Sequence, residues 1–298
     1  MRKIIKLSLL SFLAISLFHC EDPIDLESRF EGPQLVVDAW ITNAPDTQRI
    51  VLTESQDFYA NRLPTPVTDA QVVVCPTADL TACYIFEHTT NGVYEWVPAP
   101  GDSLGPIGTE YGLGIQRGDQ QYTSVTTLNR TAQIDSISFQ FEEEALGLDE
   151  GLYAQIYARD PVGTGDAYWI RSTINDTLLL RPFEINVAYD AVFDPGTDAD
   201  GIAFIFPIRF GINRLDDDGS PIPLEPGDKV EIDIWSISDE AYLFLNIAGE
   251  QIANGESGIF ALPVANSPGN VFNFDTGEPV LGIFNVAASA RAERTVEE

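Results

Sequence analysis

Cys20 is the first residue whose position implies chemistry. Arg2, Lys3 and Lys6 precede an apolar run from Leu7 to Phe18, and Cys20 closes it. A basic segment followed by a short apolar one is an export signal, too short to cross a hydrocarbon core of about 30 Å as a helix. The cysteine ending that run, three residues after Leu17, is the expected lipidation site. Phe18-His19 stands where a small residue is usual, but no Ala-x-Ala pattern offers ordinary cleavage instead. Residues 1–19 are thus read as a signal peptide, with Cys20 anchored in membrane lipid through at least two acyl chains.

Two further cysteines, Cys75 and Cys83, flank Pro76–Ala82 between the apolar runs Gln71–Val74 and Tyr84–Phe86. In an exported chain, cysteines at opposite ends of a hairpin loop are expected to form a disulfide. Closing so short a loop stabilises by roughly 2–3 kcal/mol on the chain-entropy model. The alternative, a reactive or metal-binding pair, has only His88 nearby. His88 is also the sole imidazole left after processing, so Ser-His-Asp machinery would depend on it and multi-histidine zinc sites are excluded. It is read as a solvated loop residue.

Carboxylates offer two other chemistries. Asp194, Asp198 and Asp200 precede Gly201, while Asp216-Asp217-Asp218-Gly219 is followed by Glu225, and both stretches are candidate calcium loops. Arg214 stands where the first ligand of the second loop belongs, and Asp-Gly is an ordinary turn pair, so hairpin turns are the competing reading. Glu142-Glu143-Glu144 has the residue type a glycosidase needs, but a run of like charges at a strand end is expected to be a solvated turn. No catalytic residue is assigned and no cofactor is expected beyond these calcium candidates. Of the four tryptophans, Trp40 and Trp235 fall on the polar faces of their strands, which marks them as a possible ligand surface or as packing between domains.

The charge excludes more than it identifies. All 46 acidic residues follow Cys20, and three of the 16 basic ones precede it, so the mature chain carries 13 − 46 = −33. Such a surface repels phosphate backbones, which excludes nucleic acid as a partner.

Short alternating runs broken by turn residues dominate the mature chain, so the fold is expected to be mainly β. An acidic tether over residues 20–33 leads to a first domain over 34–130. There Leu35, Val37, Ala39 and Ile41 share one strand face, and Asn91-Gly92 marks a hairpin before Tyr94 and Trp96. About seven strands in such a length suit an immunoglobulin-like β-sandwich. Residues 131–289 are expected to form a second β-rich domain closing with a strand over Val280–Ala288. It holds one packed α-helix near 239–253, where Ala241, Leu245, Ala248 and Ile252 recur at helical spacing. The tail 290–298 is expected to fray.

Several segments together resemble a known family. They are Leu35-Val36-Val37-Asp38-Ala39-Trp40-Ile41-Thr42, Pro66–Val72, Asn91-Gly92-Val93-Tyr94, Gly108–Leu113, Ile134–Ile137, Ser236–Tyr242 and Val280–Phe284, beside the lipoprotein signal. The pattern is similar to the domain of unknown function 4249 family of Bacteroidetes outer-membrane lipoproteins. Glu21-Asp22 after the cysteine likewise resembles the surface-export signal of that group's lipoproteins. The resemblance implies a lipid-anchored, cell-surface-facing outer-membrane protein and a TonB-dependent receptor as partner. On this reading the chain is a non-enzymatic accessory to nutrient uptake. The alternatives are a stand-alone glycan-binding or adhesive lipoprotein, and a carboxylate-based hydrolase.

Overall fold

Alternation along β1 (Leu35–Thr42) is clean: Leu35, Val37, Ala39 and Ile41 are buried, while Val36, Asp38 and Trp40 face away. The computed structural model describes residues 32–57, 60, 62–190, 207–255 and 267–297. β1 belongs to a sheet that continues through β2 (Gln48–Glu54), with β3 (Thr65–Pro66) at its side, and β6 (Val93–Trp96). The path runs on through β5 (Tyr84–Thr90), β4 (Gln71–Pro76), β7 (Glu110–Arg117) and β8 (Gln120–Thr127).

The two layers expected of a sandwich are one continuous, curled sheet. β5 pairs with β4 over Tyr84–Phe86 and with β6 over its second half, with an irregularity between His88 and Thr90. A strand that changes partners part-way turns a corner, and the sheet wraps around Tyr94, Tyr111, Leu113, Ile50, Leu52 and Phe284. The buried tyrosine hydroxyls are satisfied. Tyr94 donates to the Val67 carbonyl at 3.1 Å, and Tyr111 accepts from the Gly105 amide at 2.6 Å.

The last strands of the chain return to this first sheet. β15 (Phe272–Asn273) pairs with β8, and β16 (Leu281–Ala287) runs parallel to β1 from Val36↔Leu281 to Thr42↔Ala287. The strand expected to close the second domain therefore closes the first, and residues 131–289 do not form one contiguous unit. The physical reason is that β16 is apolar on both faces. Phe284 and Val286 enter the first core, while Ile283 and Ala287 face the helix. Such a run has no alternation to reveal which sheet it joins. Gly282 permits the approach: at φ 99° its Cβ would lie 1.9 Å from the Val37 carbonyl oxygen. Asn270 seals the seam, its side-chain amide bonding both the Phe284 amide and carbonyl at 2.8 Å while Ser124 donates to its own carbonyl.

A second β-unit lies between these segments. The hairpin of β9 (Gln133–Glu142) and β10 (Gly151–Arg159) covers a sheet of β11 (Ala167–Ile174), β12 (Thr177–Leu178), β13 (Asn186–Tyr189), β14 (Lys229–Ile237) and β17 (Ser289–Thr295). Ile137 and Ile156 meet Tyr168, Ile170, Ile232 and Ile234 between the layers. The tail expected to fray is β17, paired with β14 from Lys229↔Thr295 to Trp235↔Ser289. Its Arg291 binds Asp233 at 2.9 Å, its Glu293 binds Lys229 at 2.7 Å, and Val296 is buried. Polar residues on both sides of β17 gave no apolar alternation, yet ion pairs and the ladder hold it.

The helix forms over Asp239–Gly255 (α1), close to its expected span. Ser238 caps it by accepting the Ala241 amide at 3.2 Å, and Asp239 and Glu240 occupy the first turn, where the dipole favours them. Ala241 and Leu245 are buried, whereas Ile252 at the far end of the expected stripe is 47% exposed.

A candidate ligand cleft between the two β-units

Strand alternation aims two rows of side chains at each other across the junction. β11 sends Tyr168, Ile170 and Ile174 into the second core, which leaves Trp169 and Arg171 on its opposite face. β14 does the same with Trp235 and Asp233, which pair with Trp169 and Arg171 in register. β1 presents Trp40 and Asp38 from the first sheet. Trp40, Asp38, Trp169, Arg171 and Trp235 line a cavity of about 500 Å³ together with Arg291 and Asp46, whereas Asp233 pairs with Arg291.

Both tryptophans singled out from the sequence are therefore in one place, joined by a third. Trp40 lies 4.9 Å from Trp169 between ring centroids, and Trp169 lies 5.7 Å from Trp235 at an interplanar angle of 82°. Their apolar edges merge with the cluster under α1, which includes Ala241, Leu245 and Ile283. One side of the trio is thus interior packing and the other is a cavity wall.

Arg171 sits in the corner between two of the rings. Its guanidinium carbon is 3.7 Å from the Trp235 ring centre and 4.8 Å from that of Trp169. Burial pulls its pKa down to about 10, with Asp233 and Asp38 opposing the fall and Arg291 adding to it. Among the described residues, no acceptor reaches its buried Nε, and none reaches the buried Nε1 of Trp235. The neighbouring Asp233 is committed elsewhere, to Arg291 and to the Ser289 hydroxyl at 2.5 Å. Asp38 stands exposed as a residue at the cleft mouth, yet burial among the walls raises its carboxyl pKa against a lowering hydrogen bond from Trp40 and the charge of Arg171.

The other sequence candidates are placed apart from this cleft. Cys75 and Cys83 are joined, Sγ to Sγ at 1.99 Å, across the β4–β5 loop. His88, read as a loop residue, lies exposed in β5 against Tyr94, because the strand continues through it. Asp216 accepts the Asp218 and Ser220 amides, and Arg181 donates to the Leu215 and Asp216 carbonyls, so a guanidinium occupies that turn. Asp217 and Asp218 remain at its surface. Glu142 pairs with Arg209 at 2.7 Å. Cys20, Glu21, Asp22, Asp194, Asp198 and Asp200 lie outside the described residues.

One carboxylate cluster had no sequence signal. Asp160, Asp166 and Asp190 are buried with oxygens within 4.8 Å of one another, the arrangement a cation would use. Each is engaged by the protein: Asp166 by Arg130 at 2.6 Å, Asp190 by the Gly165 and Asp166 amides, and Asp160 by the Tyr168 hydroxyl.

A family model for a domain of unknown function, DUF4249, matches residues 21–293 and so spans both β-units and the helix. The chain belongs to the DUF4249 family. No curated protein and no solved structure matches it. In this DUF4249 chain the cleft therefore has to be interpreted from its own chemistry. Arg171, Asp38 and Arg291 were not picked out from sequence, and Trp169 only as one of the four large aromatic residues. The spacing Trp169-x-Arg171 beside Asp233-x-Trp235 was their one legible signal, since both pairs lie on the faces opposite the apolar ones.

Proposed function

We propose that this protein is an outer-membrane lipoprotein, anchored through Cys20 and facing the cell surface, that captures a ligand beside a TonB-dependent nutrient receptor without transforming it. The cleft supports capture, because aromatic walls with a few convergent polar groups are binding chemistry. The observation that carries the reading is Arg171, a partly buried cation stacked on Trp235 with its Nε unpartnered. Buried polar groups in folded chains are normally satisfied, and an unsatisfied donor at the wall of an aromatic cavity can take its acceptor from a ligand. A lipid anchor would raise the effective concentration of the cleft at the receptor without any new contact.

The test is recovery of tagged protein from cross-linked outer membranes of its own host, beside a Cys20→Ala version. A TonB-dependent receptor recovered in stoichiometric amount, and lost with Cys20→Ala, is the expected result. Recovery of the protein alone would overturn the accessory role and favour a stand-alone glycan binder acting through Trp40 and Trp235.

A hydrolase reading has one observation in its favour: Asp38 and Asp46 both line the cleft, and Asp38 has the raised proton affinity of a general acid. Asp46, however, is held by Arg291 at 3.1 Å. Turnover of glycosides that disappears in Asp38→Asn would establish this reading in place of capture.

A further inference from the structure

The corner that holds Arg171 specifies the ligand more closely. Trp169 and Trp235 stand nearly perpendicular, so they form two walls, and the guanidinium lies over one of them. Stacking uses the face of a guanidinium and leaves its in-plane N–H fork available, the geometry that matches a carboxylate with two parallel hydrogen bonds. The second cation of the cleft, Arg291, is already taken by Asp233 and Asp46, and Arg49 by Glu95 at 2.6 Å. Trp235 is itself nine-tenths buried, and its indole N–H has no acceptor among the described residues. With two buried donors unsatisfied at one corner and the local carboxylates committed elsewhere or hydrogen-bonded by Trp40, the guanidinium edge that lines the cleft is open to an acceptor brought from outside.

The rest of the cleft restricts what carries that acceptor. Trp40 is half-buried, so its ring offers a flat apolar surface against which a ring can stack. Asp38 at the mouth supplies oxygens that accept from hydroxyls. A chain of net charge −30 repels anions at long range, so an anionic ligand is retained by short-range contact with Arg171 and not by the overall field. A cavity of about 500 Å³ suits a ligand of one to a few rings.

We infer that the cleft binds a small acidic saccharide, a hydroxylated ring bearing a carboxylate, with the carboxylate on Arg171 and the ring face on Trp40. This rests on the capture reading and names the class of ligand captured.

Calorimetry on the mature chain tests it with four probes: a galacturonate disaccharide, its methyl ester, the matching neutral galactose disaccharide, and 4-hydroxybenzoate. The acid is expected to bind at least tenfold more tightly than its ester and the neutral sugar. Arg171→Met removes that difference, while Leu80→Ala, in the exposed β4–β5 loop that lines no part of the cleft, preserves it. Equal binding of acid, ester and neutral sugar, unchanged in Arg171→Met, would overturn the anion assignment yet leave capture standing. Binding of 4-hydroxybenzoate alone would overturn the sugar assignment. No binding by any probe would overturn the inference, while the cross-linking result would still decide the accessory role.

Discussion

Replacing Arg171 with methionine is expected to make the unliganded protein more stable, and the size of the gain follows from the site. Burial, the largest influence, lowers the guanidinium pKa to about 10. At about 1.4 kcal/mol per tenfold change in proton affinity, that fall corresponds to roughly 3 kcal/mol of forgone hydration. Partial exposure at the cleft screens it to about 2 kcal/mol. Stacking against Trp235 and Trp169 offsets about 1 kcal/mol of this. A methionine fills similar space, places its sulfur against the same rings and carries no charge. The net expectation is a gain of about 1 kcal/mol. Because the folded pKa lies below the unfolded one, the charge costs stability at every pH below about 10, which includes pH 7. Urea unfolding at pH 7 reads it as a higher midpoint at unchanged slope. A loss of about 1 kcal/mol or more would show that Arg171 braces the two β-units, refuting the argument that its charge serves a ligand.

Three further outcomes follow from the fold. Asn270→Ala strips both bonds from the Phe284 backbone at the seam of the first sheet, and urea unfolding should register a cost of about 3 kcal/mol. A cost within experimental error would mean the curled sheet closes without it. Asp228 is held below the usual carboxylate range: burial works against this, but the Glu225 amide, Asn175 and Arg214 outweigh it. Its depressed folded value means the contribution is present above the ordinary 3.8 and lost as pH falls through the folded value. Asp228→Ala should therefore cost about 2 kcal/mol at pH 7 and progressively less in acid, and a pH-independent cost would contradict the ion pair's role. Reducing Cys75–Cys83 should cost roughly 2–3 kcal/mol and leave ligand affinity unchanged, since that loop does not line the cleft. A change in affinity on reduction would tie the two together.

What the sequence reveals here depends on whether period carries information. β1 and β14 alternate, so the outward placement of Trp40 and Trp235 could be read directly. The helix was legible from the helical spacing of Ala241 and Leu245, both of which are buried. β16 was legible as a strand but not as a partner of β1, because a strand buried on both faces has no polar side to orient it. β17 was missed for the opposite reason, as its pairing rests on ion pairs and backbone bonds that leave no apolar pattern. The cleft combines residues from β1, β11, β14 and β17, and their meeting depends on the return of the chain end to both sheets. Arg171 looks in sequence like any surface arginine of a strand. Only the facing tryptophans make it unusual.

The four indole N–H signals of protein labelled with ¹⁵N at tryptophan test the central claim most directly, with the galacturonate disaccharide as titrant. Trp96 packs against Tyr84 in the first core at 4.5 Å and serves as an internal control. Ligand capture in the cleft requires the Trp40, Trp169 and Trp235 signals to shift together along one binding curve while Trp96 stays still. A titration in which those three signals do not move would contradict the cleft as the site where this protein holds an acidic saccharide.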